Sequence, residues 1–117
     1  MEQLTTNIHH LNSLVLEGKA LEAFDKYYHD DVIMQENDNK PTIGKAANRE
    51  REEVFFSNII AFRGAVPLHV TAGGNVTMVV WKYDYTHKEW GVRDYTQVSM
   101  QTWQDGKIIK EQFFYGN

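Results

Sequence analysis

The sequence contains no cysteine and only two prolines among its 117 residues. Without cysteine there is no disulfide framework, no thiolate nucleophile and no zinc site built on sulfur. The five histidines form neither an HxxxH pair nor an HExxH motif, so we expect no metal site and no cofactor. The lack of cysteine also fits a reducing compartment, and we expect a cytoplasmic protein.

The sequence also lacks a long hydrophobic run and a basic patch. No stretch approaches the ~18 apolar residues that spanning a bilayer needs, and the N-terminus has no uninterrupted apolar segment of the signal-peptide kind. The formal net charge is -4, and lysine and arginine are scattered along the chain. We therefore expect neither a membrane nor nucleic acid as a partner.

What the sequence does contain is 42% hydrophobic and 13% aromatic residues. A chain of this length can bury roughly 65% of its unfolded surface, which is enough for one hydrophobic core. No linker, repeat or low-complexity segment interrupts it, so we expect a single domain over residues 1–117. The aromatic share is sufficient to line a pocket as well as a core.

Hydrophobic periodicity divides the chain into a helical half and a β half. Apolar residues at helical spacing predict a helix over 4–15 that ends before Gly18, a shorter helix from about Lys19, and a third over about 45–60. A strand over 32–36 and a loop over 37–44 separate the second and third helices. Four further strands are separated by turn sequences. They are predicted over 63–72, 76–86, 92–103 and 107–115.

The resulting order, α-α-β-α-β-β-β-β, favours an α+β fold in which helices cover one face of an antiparallel sheet. The strand 76–86 is apolar on both faces, with Met78 and Val80 on one side and Val79 and Trp81 on the other. Helices cover only one of these faces, so we expect the other to be covered by a second copy in a homodimer. Which of the two faces lines an internal cavity stays open.

The stretch Tyr28 to Asp38, YHDDVIMQEND, contains the first catalytic candidate. Side chains in a strand alternate between faces, so Glu36 shares a face with the apolar Val32 and Met34. An inward carboxylate at the end of an apolar strand is a candidate acid or base. The alternative is that the strand frays and Glu36 is solvated.

Glu111 is the second catalytic candidate. By alternation it shares a face with Ile109, Phe113 and Tyr115, whereas Ile108 belongs to the opposite face. Apolar neighbours would desolvate the carboxyl group and raise its pKa. The alternative is a structural ion pair in the interior.

Arg51 is the cation best placed to meet either carboxylate. It lies in the middle of an apolar arc of the third helix that includes Val54 and Phe55, and Asn58 lies on the same arc. Arg51 either extends outward along its methylene groups or reaches into a cavity to meet a carboxylate. We expect the second, with a cavity lined in part by Arg51, Phe55 and Asn58.

Further candidates for ligand contact follow from strand alternation. They are Trp81, Tyr83, Tyr95, Gln97, Trp103, Phe113 and Tyr115. Arg93 and Asp94 are adjacent in a strand and point to opposite faces, so only one of them can face a pocket. Among the histidines, His69 is a weaker candidate base on a strand, and we interpret His87 as a turn residue.

Several of these segments resemble the SnoaL-like branch of the nuclear-transport-factor-like, or cystatin-like cone, superfamily. The likeness covers nearly the whole chain. It rests on Tyr28-His-Asp-Asp-Val32, on Gly44 before the third helix, and on Trp103-Gln-Asp-Gly-Lys-Ile108 followed by Glu111 and Phe113-Phe-Tyr115. The resemblance implies a cone-shaped, strongly curved antiparallel or mixed sheet around three helices, with a pocket at its open end.

Within that superfamily, the segment DDVIMQE is similar to the stretch of ketosteroid isomerase that carries its general base, and Glu36 falls on the position of the base. The isomerase holds its oxyanion with a tyrosine and a protonated carboxylic acid, and those positions here are Leu11 and Ser99. The likeness therefore does not imply steroid isomerisation. Another donor would have to stabilise a developing negative charge. Alternation offers Tyr83, Tyr95, Tyr115, Gln97 and Trp103.

Two functions remain open on the sequence. The first is a pocketed enzyme, an isomerase, cyclase, dehydratase or hydrolase, acting on a small apolar or aromatic compound by acid/base chemistry of Glu36 or Glu111. The second is a non-catalytic, dimeric ligand-binding or interaction domain in which Glu111 and Arg51 are structural. An accessible carboxylate beside a hydrogen-bond donor in an open cavity would favour the first.

Overall fold

The computed structural model describes residues 2–116 and contains three helices and six strands. In chain order they are α1 (Glu2–Leu16), α2 (Ala20–Tyr27), β1 (Tyr28–Glu36), β2 (Thr42–Ile43), α3 (Lys45–Ser57), β3 (Ile59–Gly73), β4 (Val76–His87), β5 (Gly91–Gln104) and β6 (Lys107–Tyr115). The predicted α+β class and element order are confirmed. The two-residue β2 is an addition, because sequence patterns do not distinguish so short a strand from the loop around it.

All six strands form one mixed sheet in the order β2-β1-β6-β5-β4-β3. The strands β3 to β6 follow one another as antiparallel hairpins, while β1 pairs in parallel with β6. The predicted turn between β5 and β6 is confirmed, with Asp105 and Gly106 at φ 52° and 78°. A positive φ at both residues gives the turn the twist that a two-residue hairpin requires.

The helices pack on one face of this sheet and form the core with it. Ile8 and Leu11 of α1 and Phe24 of α2 are buried against Val79 and Trp81 of β4. The apolar residues whose spacing predicts α1 therefore form the face of this helix that is buried in the core. In the part of the chain that the structure describes, no helix is long and apolar enough to cross a membrane.

The third helix ends earlier than predicted. Its last residue is Ser57, and Asn58 caps it by donating from Nδ2 to the Val54 carbonyl at 2.8 Å. Ile59 then begins β3 and pairs with His87 of β4. The apolar residues 59 and 60 continue the helical pattern in the sequence, but Ile59 pairs with β4 and Ile60 lies in the irregularity that follows it in β3.

A bulge changes the predicted facing of β6. The pairing of β5 with β6 shifts between Thr102 and Trp103, so that Trp103 pairs with Ile108 while Thr102 pairs with Lys110. Ile109 is the extra residue, and Ile108 is fully buried. The expectation that Ile108 faces away from the core is wrong, because a bulge reverses the alternation on one side of it. Glu111 keeps its predicted inward direction.

Candidate functional site

A cavity of about 1560 Å³ lies between the helices and the inward face of the sheet. Its apolar wall includes Phe55 of α3 and Trp81 of β4, and its polar wall includes side chains from β1, α3, β5 and β6. A volume of this size is ample for a small organic molecule. The cavity lies on the helix side of the sheet, so Trp81, Tyr83 and Tyr85 face it and Met78 faces outward.

Strand register places the inward side chains of neighbouring strands in rows. In the first row Thr77, Gln101, Glu111 and Met34 lie directly opposite one another on β4, β5, β6 and β1. The next row toward the mouth contains Val79, Ser99, Phe113 and Glu36. Alternation therefore places Glu111 deeper in the cavity and Glu36 one row nearer its mouth.

Glu111 lies at the floor of the cavity and is only 4% exposed. One of its carboxyl oxygens accepts a short hydrogen bond from the Tyr28 hydroxyl, and the other accepts from Gln101 Nε2 at 2.7 Å. Burial raises the pKa of Glu111 to about 6, and the two hydrogen bonds oppose that rise. The sequence left open that Glu111 forms a structural ion pair, but within residues 2–116 Glu111 has no cationic partner.

The hydrogen bonds continue from Glu111 across the sheet. Thr77 Oγ1 donates to Gln101 Oε1 at 2.7 Å and accepts from Trp103 Nε1 at 2.8 Å. Trp103, Thr77, Gln101 and Glu111 are thus joined in one buried chain, which we call the floor network together with Tyr28. Thr77, Gln101 and Tyr28 were not predicted as site residues, although alternation from Trp81 along β4 and from Trp103 along β5 could have indicated the first two.

Glu36 lies at the mouth of the cavity. It accepts hydrogen bonds from the Tyr115 hydroxyl at 3.0 Å and from Arg51 Nη2 at 3.1 Å. β1 ends there because Asn37 turns at φ 51°, and its backbone N–H donates to the Phe113 carbonyl at 2.7 Å. The inward position and the contact with Arg51 are those expected from the sequence.

Arg51 is at the mouth and not in the interior. Its side chain is 52% exposed and that of Glu36 is 40% exposed, and Arg51 also donates to Thr42 Oγ1 at 2.7 Å. A solvated pair of this kind contributes at most about 1 kcal/mol to stability. The pair therefore orients two side chains at the entrance more than it stabilises the fold.

Glu52 is a third cavity carboxyl group, which the sequence analysis missed. It is partly buried, and it forms no hydrogen bond or ion pair with any residue that the structure describes. Burial and the negative charges of Glu111 and Glu36 raise its pKa to about 7, while Arg51 opposes the rise. The available signal was its helical spacing of four from Asn48 and three from Phe55.

Tyrosines form a polar aromatic wall opposite α3. The ring centroids of Trp81 and Tyr83 are 5.4 Å apart, those of Tyr83 and Tyr95 5.9 Å, and those of Tyr95 and Tyr115 5.7 Å. The hydroxyl groups of Tyr85 and Tyr95 are 2.9 Å apart. The wall therefore combines stacking surfaces with hydrogen-bonding groups.

Burial further favours the neutral form of these phenols. It raises the pKa of Tyr83 and Tyr95 well above the ordinary value and that of Tyr115 to about 12. For Tyr115 the neighbouring carboxylate of Glu36 adds to the rise. A neutral phenol can donate a hydrogen bond to a ligand oxygen.

Arg93 and His87 complete the mouth of the cavity. Arg93 lies 4.8 Å from the Tyr95 ring, while Asp94 points to the opposite face and pairs with Lys82. The interpretation of His87 as a turn residue is wrong, because it is the last residue of β4 and is 4% exposed. Its Nδ1 accepts from the backbone N–H of Glu89 at 3.1 Å, so the ring is fixed in place.

The other predicted ligand residues divide between cavity and core. Phe55, Asn58, Gln97 and Phe113 line the cavity. Trp103 does not, because its ring packs against Tyr27 with centroids 5.9 Å apart and its Nε1 is used in the floor network. His69, the weaker candidate base, is exposed on β3 and is not among the residues that line the cavity.

A family model described as a SnoaL-like domain matches residues 4–115. A search of curated proteins gives no significant match.

Solved structures resemble the chain over nearly its full length. A Mesorhizobium loti protein described as a SnoaL-like polyketide cyclase has 24% identity and a TM-score of 0.86, covering 96% of this chain and 98% of its own. A Burkholderia pseudomallei NTF2-like protein of unknown function has 11% identity and a TM-score of 0.83, covering 99% and 92%. A Catenulispora acidiphila protein with a ketosteroid isomerase-like fold, in complex with trimethylamine, has 11% identity and a TM-score of 0.75, covering 93% and 85%. At these identities the likeness establishes the fold.

Proposed function

The chain belongs to the SnoaL-like domain family, and from this premise we propose that it is an enzyme for a small apolar or aromatic compound that uses cofactor-free acid/base chemistry. The observation that carries the proposal is the cavity itself. Carboxyl groups from β1, α3 and β6 line it together with neutral phenols. Isomerases, cyclases, dehydratases and hydrolases of this kind all need a group that takes up a proton and a donor that stabilises developing negative charge.

The wall of the cavity favours a ring-containing substrate. A planar ring can stack on Trp81 and Tyr83, whose own rings are 13° from parallel. A carbonyl or hydroxyl oxygen on that ring would find donors in the hydroxyl groups of Tyr95 and Tyr115. Similarity to the described polyketide cyclase agrees with this class of ligand without specifying one.

Glu36 is the proposed base. It is the more accessible of the two carboxylates expected from the sequence, and Arg51 and Tyr115 hold it in one orientation at the mouth. Glu111 is less suited to direct proton abstraction, since it is only 4% exposed at the floor whereas the Glu36 side chain is 40% exposed at the mouth. We assign Glu111 the role of a negative charge at the floor that influences neighbouring groups.

The second candidate function is a non-catalytic ligand-binding domain. The burial of Glu111 together with its hydrogen bonds favours it, because a buried carboxyl group with a partner on each oxygen is typical of a structural role. The two candidates agree on ligand binding and differ only in whether proton transfer accompanies it.

Replacing Glu36 by glutamine tests the proposed base. The probe is a nitrobenzisoxazole, an aromatic compound in which a base removes a carbon-bound proton, the N–O bond breaks and a coloured cyanophenolate forms. Glu36→Gln is expected to lower kcat for this ring opening by about 10², the usual scale for loss of a general base. The rate is followed by phenolate absorbance, and probe binding by amide NMR shifts of cavity residues.

Asp38→Asn is the matched control, since Asp38 is an exposed carboxylate two residues further along the chain. It should retain the wild-type rate. An unchanged rate in Glu36→Gln would show that Glu36 is not the base. Binding of the probe without turnover by the wild-type protein would instead favour the ligand-binding domain.

For the opposite face of the sheet we propose contact with a second copy of the chain. Met78 lies beside Met100, and Val80, Val98 and Phe114 lie beside one another in the next row. We call these five residues the outer patch. It is a continuous apolar surface next to the Lys82–Asp94 ion pair, so two copies could meet on it without net charge repulsion.

The outer patch is expected to bury at least roughly 1,000 Å² in total in a homodimer. Phe114, which is 39% exposed, can be changed to glutamate without disturbing the core. Phe114→Glu should sediment as a monomer at micromolar concentration where the wild-type protein sediments as a dimer. Ile43→Glu on the edge strand β2, outside the outer patch, should remain dimeric. A monomeric wild-type protein would contradict the proposal.

A further inference from the structure

We propose that Glu52 is the general acid of the cavity, delivering a proton to the substrate while Glu36 removes one. This inference rests on the proposed acid/base function and assigns its second catalytic residue. The substrate class narrows accordingly to cyclic or aromatic compounds whose carbonyl or hydroxyl oxygen accepts a proton during the reaction.

The direction of Glu52 is fixed by the way α3 is anchored. One turn before it, Asn48 is 2% exposed, and its Nδ2 lies 2.8 Å from the Gly44 carbonyl and 3.0 Å from the Thr42 carbonyl. These contacts hold the rotation of α3 about its axis. Residues one and two turns further on the same face, Glu52 and Phe55, consequently line the cavity.

The bonding of Glu52 differs from that of the other two carboxyl groups. Glu36 has an arginine and a phenol as partners, and Glu111 has a phenol and an amide. Glu52 has neither a hydrogen bond nor an ion pair within residues 2–116. A partly desolvated carboxyl group without partners favours its neutral form, and its proton is free for transfer to a ligand.

The neighbouring carboxylates also favour the neutral form of Glu52. Glu111 faces it from β6 and Glu36 from β1, and both disfavour a further negative charge, while Arg51 on α3 partly offsets them. The phenols of Tyr28 and Tyr83 also interact with it and stay neutral. Together with burial these groups raise the pKa of Glu52 to about 7.

Carboxyl groups in contrasting environments are the usual basis of an acid and base pair. Glu36, which pairs with the Arg51 guanidinium at the mouth, is the group that accepts a proton. In the proposed step, Glu36 takes a proton from substrate carbon while the O–H bond of Glu52 breaks and a new O–H bond forms on the substrate oxygen. Both residues return to their starting forms by proton exchange with solvent, so no oxidant, reductant or cofactor is needed.

The ionisation of Glu52 can be measured without any substrate. The carboxyl carbon of each glutamate is labelled with ¹³C, and the Glu52 signal is identified by its loss in Glu52→Gln. We expect it to titrate with a midpoint near 7, where an ordinary glutamate titrates near 4.5. In Glu111→Gln the midpoint should fall, because a neighbouring negative charge is removed. A midpoint near 4.5 in the wild-type protein overturns the inference.

Proton donation can be measured with α-methoxystyrene, a small neutral aromatic probe. Its hydrolysis begins when an acid transfers a proton to the terminal alkene carbon; water then adds to the resulting cation, and acetophenone and methanol form. Glu52→Gln should lower kcat/KM for this probe by about 10². In the wild-type protein kcat/KM should be constant below pH 7 and fall above it, because the acid form is lost as pH rises through the pKa of about 7.

Glu53→Gln is the matched control, since Glu53 is the next residue of α3, is exposed, and pairs with Arg49 away from the cavity. It should keep the wild-type rate and pH profile. Equal rates in Glu52→Gln and wild type, with the probe bound, overturn the inference and leave the proposed function intact. If neither this probe nor the nitrobenzisoxazole shifts any cavity resonance, the proposed function fails, while the carboxyl titration still decides the state of Glu52.

Discussion

Replacing Glu111 by leucine is expected to lower the free energy of unfolding at pH 7 by several kcal/mol. Leucine fills a similar space but accepts no hydrogen bond, so the Tyr28 hydroxyl and the Gln101 amide lose their shared acceptor. Each buried donor left unpaired costs about 1–3 kcal/mol. Removing a desolvated carboxyl group returns part of this cost. Urea unfolding followed by tryptophan fluorescence gives the difference directly.

Glu111→Gln separates this hydrogen-bonding effect from a loss of shape. Its side-chain oxygen can still accept from Gln101, and its amide nitrogen can donate to the Tyr28 hydroxyl, which rotates to accept. Only the Tyr28 O–H is then left without an acceptor, so we expect this variant to lose about 1–3 kcal/mol, less than the leucine variant. If leucine and glutamine at position 111 gave equal stability, the floor network would not be a significant part of the folding free energy.

Alternation along strands predicted most of the sheet contribution to the site. Glu36 is at the mouth because it lies two residues beyond Met34, and Met34 lies opposite Glu111 in the first row. The same period placed Tyr83, Tyr95 and Tyr115 on the inward face. Facing in a regular strand depends only on residue number, so it can be read from a sequence once one inward residue is known.

Where the alternation fails, the cause is a change of register that composition does not record. Ile108 faces the core because of the bulge at Ile109, which neither glycine nor proline marks in the sequence.

Trp103 illustrates a different limit of prediction from the sequence. Its inward direction is correct, but it meets the hydroxyl of Thr77, 26 residues away, instead of the cavity. A partner at such separation is defined only by the pairing of β4 with β5.

The helical part of the site was harder to predict because a helix face depends on rotation about the axis. Hydrophobicity predicts that the arc of Arg51, Val54 and Phe55 faces inward, yet Val54 lines the cavity with 55% of its surface exposed. The buried side chain that sets the rotation is Asn48. Its amide nitrogen contacts three carbonyl oxygens, which lie close together only in the folded chain. Those carbonyls therefore fix the rotation that turns Glu52 into the cavity, and its spacing from Phe55 is the weaker signal that the sequence alone provides.

Thr77→Val is the second substitution with a large expected effect. Thr77 is fully buried, and its hydroxyl both accepts from Trp103 and donates to Gln101. Valine keeps the branched shape, so packing is preserved while two buried polar atoms lose their partner. At about 1–3 kcal/mol for each of the two atoms, we expect a loss of about 2–6 kcal/mol in the free energy of unfolding.

Thr77→Ser is the control that decides the cause, because serine keeps the hydroxyl and removes only one methyl group. It should cost about 1 kcal/mol, the value of one buried methyl. The valine variant should also disturb the cavity floor, since Gln101 is then free to turn its amide away from Glu111, which its hydrogen bond helps to hold charged. The ¹³C carboxyl signal of Glu111 is thus expected to titrate at a higher pH in Thr77→Val than in wild type. A serine variant less stable than the valine variant would show instead that the methyl contact, and not the hydroxyl, holds this part of the sheet together.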